Sequence, residues 1–539
     1  MLPTPAGSPT VRFAGRHLYS RHDPASAVAS RVGRVAVQAE TLYLAFSPLL
    51  GYGLEELLSA LPASSHVLAL ECHSDLVELS HSSPSRLDAI VAAYPQACTV
   101  VDAASPLSAA RALQEIGVGR FRRVLPLVLS GGHQLARSEY DEISRVIDNE
   151  VRTHWQNRIT LMAMGRLWAR NLIDNLALLP GGTDAGTLRT DAPVVVCGAG
   201  PTLVNHLSWL HQHRERMLLI AVDTALATLS AAGLRPDCVF VLEAQHANVS
   251  DFVANVDRSL PIVADLTSSP AVLRLFEAAG APRHFYASRY SPVSILQRLE
   301  EEQLLPRPTR PLGSVGVAAV AVALEMTAAP VLMAGLDFSY PRGATHARGA
   351  PSHLAVLSAA HRLAPPTTTV ADALLRRPLI KVPSKGGSEI LTDLVLDSYA
   401  TQLRRISSAI HRAYDLSGPG LPIAERTLEH AEAADLLASA ATAAAPSLRP
   451  GPPYPADAVR SFVQAEIRLI ASCLRWLDAD VDTVVQPLHL RPLDYLCIDL
   501  PDAPQQLRSP TAAFVRQVRQ RGQEALSRLE RTRRRLVAG

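Results

Sequence analysis

The stretch VVVCGAGPTLVNHLSWLHQHRERMLLIAVD, residues 194–223, decides the fold. A short apolar run, Val194 to Cys197, enters a Gly198-Ala199-Gly200-Pro201 turn, and from Thr202 apolar residues recur at helical spacing. A second apolar run, Met217 to Val222, ends on Asp223. Strand, glycine turn, helix and strand in that order form a βαβ unit of a parallel sheet. Glycines let the backbone turn sharply and approach a ligand. A helix starting there points unpaired N–H groups and a positive dipole end at an anion. An acidic residue about twenty positions further on can accept from a ribose hydroxyl or hold a cation. The unit therefore reads as a nucleotide site, with Gly198, Gly200, Pro201 and Thr202 at the phosphate and Asp223 and Thr224 beyond them. With two of the fingerprint's three glycines, the same turn also suits a purely structural unit.

The following sequence repeats the pattern. Helix, turn and Pro236-Asp237 lead into a strand from Cys238 to Leu242, which delivers Glu243, Gln245 and Asn248 at its end. Pro261 to Ala264 ends on Asp265, and Val331 to Leu336 ends on Asp337, followed by Thr345-His346. Strand after strand ends on a carboxylate, where open α/β sheets keep their sites. Asp237 has two readings: it orients ribose or base, or it bonds its own backbone in the turn after Pro236. Ser314, in Pro311-Leu312-Gly313-Ser314, opens a small-residue helix, either as an anion contact or as an N-cap. Asp337, His346 and Glu243 are the catalytic candidates, since a transfer reaction needs an acid or base near neutral pH and stabilised charge. Gln245, Asn248 and Thr345 are placed at the substrate.

These residues carry a family resemblance. The set Gly198-Ala199-Gly200-Pro201-Thr202-Leu203, Ala221-Val222-Asp223-Thr224-Ala225-Leu226, Pro236-Asp237, Glu243-Ala244-Gln245, Gly335-Leu336-Asp337-Phe338-Ser339 and Thr345-His346 resembles the motility-associated factor (Maf) flagellin glycosyltransferases. Their central domain is described as 6-hydroxymethylpterin pyrophosphokinase MptE-like. The match spans residues 185–400, and Ser20-Arg21-His22-Asp23-Pro24 and Leu50-Gly51-Tyr52-Gly53-Leu54-Glu55 resemble the family's amino-terminal domain. The resemblance implies a sialyltransferase-like centre that moves a nucleotide-activated, CMP-linked nonulosonic acid sugar onto Ser or Thr of flagellin or another protein acceptor. The family's turn is Gly-Asn-Gly-Pro-Ser-Leu, commonly followed by an acid; here Ala199, Thr202 and Val204 stand instead. That removes an amide contact to the nucleotide and bears on donor identity. Mg²⁺ or Mn²⁺ held by Asp337 with a phosphate is a further expectation. Two other classes stay open: an MptE-like pyrophosphokinase using ATP, and a non-catalytic nucleotide-binding flagellar assembly factor.

Composition bounds the rest. A chain of 539 residues is too long for one core. At 48% apolar and 19% charged it is globular, and a net charge of +2 shows no excess for nucleic acid. Six cysteines lack metal or redox spacing, no apolar leader opens the sequence, and no apolar run is long enough to span a bilayer. A cytoplasmic protein is expected.

The fold class expected is α/β, in four parts. Residues 1–120 form a Rossmann-like amino-terminal unit, where Gly51-Tyr52-Gly53 with Glu71 also permits an S-adenosylmethionine loop. Residues 121–184 form a helical connector, 185–400 a doubly wound sialyltransferase-like α/β domain, and 401–539 a helical carboxyl-terminal domain. The last helix is basic, with Arg516, Arg519, Arg521, Arg528, Arg531, Arg533, Arg534 and Arg535. It reads as a solvated face or as a surface for an acidic acceptor.

Overall fold

The structure, a computed structural model, describes residues 1–82, 85–253, 256–290, 293–440, 445–479 and 487–538. It divides into two units, residues 1–160 and 161–539.

In the first unit a two-stranded ribbon, β1 (Arg12–Phe13) and β2 (Arg16–His17), precedes a parallel sheet. The sheet contains β3 (Thr41–Phe46), β4 (His66–Leu70), β5 (Cys98–Val101) and β6 (Arg123–Val128), in the order β5-β4-β3-β6. Every residue of β3 and β4 is buried, as expected of central parallel strands covered on both faces. This is the expected Rossmann-like unit, but its last strand lies beyond residue 120. Residues 121–184 are therefore not simply a helical connector. The helix Arg137–Asn175 places Tyr140, Ile143, Ile147 and Val151, at three-to-four spacing, in this unit's core.

The features that suggested a cofactor loop here serve packing. A Cβ at Gly53 would lie 2.8 Å from Val28 and 2.9 Å from Val32, so this glycine lets the helix Leu54–Ser59 close on the helix Pro24–Val32. Glu71, at the end of β4, is buried and bonded to Ser47 Oγ at 2.8 Å and Tyr140 Oη at 2.9 Å.

The second unit is built on one parallel sheet of ten strands: β7 (Thr183–Asp184), β8 (Val194–Cys197), β9 (Leu218–Val222), β10 (Cys238–Val241), β11 (Ile262–Asp265), β12 (Arg283–Ser288), β13 (Arg307–Thr309), β14 (Val331–Ala334), β17 (Ala413–Leu416) and β18 (Arg426–Leu428). Between β14 and β17 an antiparallel hairpin, β15 (Leu379–Pro383) and β16 (Glu389–Asp393), stands apart from it. The order is β13-β12-β11-β10-β9-β8-β14-β17-β18, with β7 beside β12. The helix Val315–Met326 is buried at nine of its residues. Its run of Gly, Ala and Val lets it lie close under the sheet centre.

Two further expectations are corrected. β17 and β18 belong to the central sheet, so residues 401–539 are not a separate helical domain. The helices Ala456–Ala479 and Ala512–Ala538 bury Val459, Phe462, Val463, Phe514, Val518 and Leu529 in the same core as β10–β12. The basic helix is also largely engaged within the chain. Arg521 ion-pairs with Asp499, Arg528 with Asp174 at 2.7 Å and Arg535 with Glu277 at 3.2 Å. No helix among the described residues is long and apolar enough to cross a membrane.

Candidate functional site

From β8 the chain builds the sheet outward through β9 to β13, then returns to set β14 on the other side of β8. The strand order reverses between β8 and β14, and in open parallel sheets the crevice beyond the carboxyl ends at such a reversal is where ligands bind. The Gly198–Thr202 turn stands there, as the sequence expects.

Its N–H groups, however, are bonded to the neighbouring strand exit. Gly198 N donates to Ala334 O at 2.8 Å, Gly200 N to Gly335 O at 2.7 Å, and Thr202 N to Asp337 Oδ2 at 2.8 Å. The Thr202 hydroxyl donates to Asp337 Oδ1. The anion at the start of the helix Leu203–Gln212 is thus the chain's own Asp337 carboxylate. This position satisfies the orphan N–H of the helix start and the dipole together. Both Asp337 oxygens accept from Thr202, and no group of three or more His, Cys, Asp or Glu among the described residues could hold a metal ion. Burial pushes the Asp337 carboxyl above its ordinary range, against the pull of the Thr202 bonds and of Lys385.

The same device recurs along the edge. Asp265 accepts from Thr267 N at 2.8 Å and from Ser288 N at 2.8 Å, and Glu243 accepts from Gln245 N at 2.9 Å. A carboxylate at a strand end pins the loop that follows. Asp237 falls outside the crevice. It precedes β10, at the sheet's amino edge, where it accepts from Leu219 N at 2.6 Å and pairs with Arg214 at 2.8 Å. The backbone it bonds is that of the neighbouring strand β9 and not that of its own turn.

Beyond β9 and β10 the structure does bring polar groups together. Asp223 opens the helix Asp223–Ala231, buried, and accepts from Thr224 N at 2.8 Å and from Asn248 Nδ2 at 3.1 Å. The same amide reaches Asp251 at 3.0 Å, leaving Asn248 Oδ1 buried without a partner. Burial raises the Asp223 carboxyl to about 7, with the charges of Asp251 and Glu243 adding to the rise. Glu243 and Gln245 are exposed on the rim of this cluster.

The loop carrying Thr345 and His346 crosses to the turn: Ala347 N donates to Ala199 O at 2.9 Å, and Thr228 Oγ1 to Arg348 O at 3.1 Å. His346 therefore lies between the turn and the Asp223 helix, with Nδ1 buried and unpartnered. Burial lowers its basicity, so the ring is neutral at pH 7 and able to take a proton. Asp337 and His346 meet the turn at different points, one under Thr202 and the other beside Ala199. Ser314 occupies the N-cap position of the helix Val315–Met326, and its side chain makes no capping bond.

Sequence reasoning passed over Lys385 and Asp415. Lys385, at the tip of the β15–β16 hairpin, is buried, and its Nζ donates to Asp415 Oδ1 at 2.9 Å and Leu416 O at 2.6 Å. A signal existed: Lys381 and Lys385 are the only lysines in a chain whose other bases are arginines. Asp251 was missed because it lies in the short 3-10 helix His246–Phe252 and not at a strand end.

The chain is similar to known proteins in sequence and in fold. A family profile described as 6-hydroxymethylpterin diphosphokinase MptE-like matches residues 170–343. An uncharacterized protein of Treponema pallidum (strain Nichols) is 30% identical over 447 residues, covering 80% of this chain and 75% of that protein. Among solved structures, the Maf glycosyltransferase from Magnetospirillum magneticum AMB-1 shares the fold, with a TM-score of 0.55 and 17% identity over 97% of this chain and 84% of that one.

Proposed function

With the Treponema pallidum protein, the chain belongs to a family carrying an MptE-like domain within the Maf glycosyltransferase fold, and we propose that it is itself a glycosyltransferase. The donor is a CMP-linked nonulosonic acid and the acceptor a Ser or Thr hydroxyl of flagellin or another protein. The observation that carries the reading is the crevice at the β8–β14 reversal. A neutral histidine with an unpartnered ring nitrogen stands there beside the glycine turn, near the Asp223–Asn248–Asp251 cluster.

In this reading the nucleotide lies across the Ala199 side of the turn toward Asp223 and Thr224, and Ser314 meets its phosphate at the start of the helix Val315–Met326. His346 accepts the proton of the attacking hydroxyl as the sugar leaves its phosphate. Glu243, Gln245 and Thr345 contact sugar or acceptor. Asp337 holds the turn in shape and does not touch the reacting atoms.

The test is incubation of the purified protein with CMP-sugars and flagellin, measuring CMP release and mass gain on the acceptor. The family profile favours a second reading, diphosphate transfer from ATP to a hydroxymethylpterin, and the same protein assayed with that pair decides between them. Transfer in neither assay, with nucleotide still bound, would leave a binding protein.

A further inference from the structure

The ends of β8, β14 and β17 crowd together, and one ammonium is bonded at the last of them. Asp337 leaves β14, Asp415 lies within β17, and Thr202 follows the turn after β8. Lys385 comes from the hairpin outside the sheet and bonds Asp415 and the Leu416 carbonyl. Its backbone N donates to Gly420 O at 2.9 Å, and Leu421 N, in the same β17 exit, donates to Asp337 O at 2.9 Å. A Cβ at Gly420 would already lie 3.3 Å from Asp337 Cα, so the β17 exit presses directly on the β14 exit. Both carboxylates are 2% exposed. Asp415 keeps one oxygen, Oδ2, with no partner. Asp415 is thus paired with the Lys385 ammonium, while both oxygens of the neighbouring Asp337 are bonded to Thr202.

The hairpin closes a long insertion that leaves the sheet after Asp337 and touches the turn near its start. There Ala347 N donates to Ala199 O, and near the insertion's end Lys385 binds Asp415 and the Gly420 carbonyl, in the segment that abuts Asp337. We infer that Lys385 is a positioning residue for the proposed transfer: its ammonium keeps Asp337 ionised against Asp415, and Asp337 in turn keeps Thr202 and the Gly198–Thr202 turn in ligand-binding shape. This rests on the function proposed above.

The other titratable groups at this cluster are His206 and His430, joined Nδ1 to Nε2 at 2.8 Å on the helices Leu203–Gln212 and His430–Ala440. Burial, with the charges of His430 and Lys385, brings His206 down to about 3, so it stays neutral through the range that matters. Asp415 is raised to about 7 by burial, opposed by Lys385 and reinforced by Asp337.

A sign separates positioning by charge from simple packing. Removing the positive charge raises the pH at which Asp337 ionises, whereas removing the competing negative charge lowers it. Packing alone predicts that both changes loosen the turn alike. Hydrogen exchange of a peptide covering residues 198–205, corrected for intrinsic rates, is followed from pH 5 to 8.5 in the full chain, with CMP binding measured in parallel by calorimetry. In Lys385→Met the midpoint at which the turn becomes protected should move up by at least half a pH unit. In Asp415→Asn it should move down, and in the double variant it should return toward that of the natural chain. Should Lys385→Met fail to fold, the Asp415→Asn shift decides alone. Midpoints that stay put, or that move in the same direction in both variants, would overturn the inference. Absence of CMP binding in the natural chain would count against the proposed function, while the exchange result still decides the role of Lys385.

Discussion

A methyl group added at Gly200 would sit 2.6 Å from Asp337 Oδ2 and 2.6 Å from the Gly335 carbonyl oxygen. The glycine is required by the approach of the β14 exit, before any ligand is considered. Gly200→Val should therefore destabilise the second unit by about 1–3 kcal/mol, the scale of overpacking. Nucleotide binding should be lost together with stability, both being read in one thermal titration. A fully stable Gly200→Val would show that the Asp337 contact is softer than its geometry implies. His346→Ala is the cleaner probe of chemistry. It should lower transfer by about a hundredfold or more, the scale of a lost general base, with CMP affinity nearly unchanged; an equal fall in affinity would place the ring on the nucleotide. Asp223 supplies a pH test. Its folded pKa, about 7, lies above the ordinary 3.8, so its protonated form contributes stability that is complete at low pH and lost as pH rises through 7. Asp223→Asn should accordingly gain on the natural chain between about pH 4 and 7 and hold that gain above, by a few kcal/mol at most. A melting-temperature difference that does not vary with pH would mean the carboxyl is not held protonated.

At the scale of elements, the strands were legible because a doubly covered parallel strand must be apolar throughout. Val194–Cys197, Leu218–Val222 and Cys238–Val241 lie inside the runs that predict them. The acids after those strands were legible as a pattern, yet their partners were not. Nothing local in the sequence says that Asp337 will bond Thr202, 135 residues away, or that Asp265 will reach Ser288. β17 and β18 went unseen for a related reason: each is short and partly polar, AYDL and RTL, and only the sheet edge they complete makes them strands. The carboxyl-terminal helix shows the opposite failure. Its arginines suggested a binding face, while its apolar stripe, Phe514, Val518, Ala525 and Leu529, is what it delivers to the core. Burying such side chains contributes about 1.5–3 kcal/mol each for the larger ones, and the Thr532 hydroxyl also bonds Ile173 O at 3.1 Å. Deleting residues 512–539 should hence unfold the second unit or lower its melting temperature by about 10 °C or more. A truncated chain that melts normally and has lost only acceptor binding would restore the helix to a recognition role.

At the scale of the whole molecule, the buried apolar side chains among the described residues fall into clusters that do not cross the division at residue 160. Two lie within residues 1–160 and are formed around β3 and β4; the others, around the ten-stranded sheet, lie within residues 161–539. Cooperative unfolding follows shared cores, and chains with separate cores need not melt in a single step. Calorimetry of the full chain should resolve two transitions. All the candidate ligand groups, from Gly198 to His346, belong to the second unit, whereas the strand-end acid of the first, Glu71, is closed in by Ser47 and Tyr140. A ligand that binds only the folded form of one unit stabilises that unit by RT ln(1 + [L]/Kd), about 2.7 kcal/mol at a hundredfold excess over Kd. CMP at that concentration should therefore raise one transition and leave the other in place. Pulsed proteolysis at the ligand-free midpoint assigns the transitions, since the protected fragment must contain residues 161–539. If CMP raised the transition of residues 1–160, or both transitions equally, nucleotide binding would not be confined to the second unit, and the crevice between β8 and β14 would lose its claim to be the site.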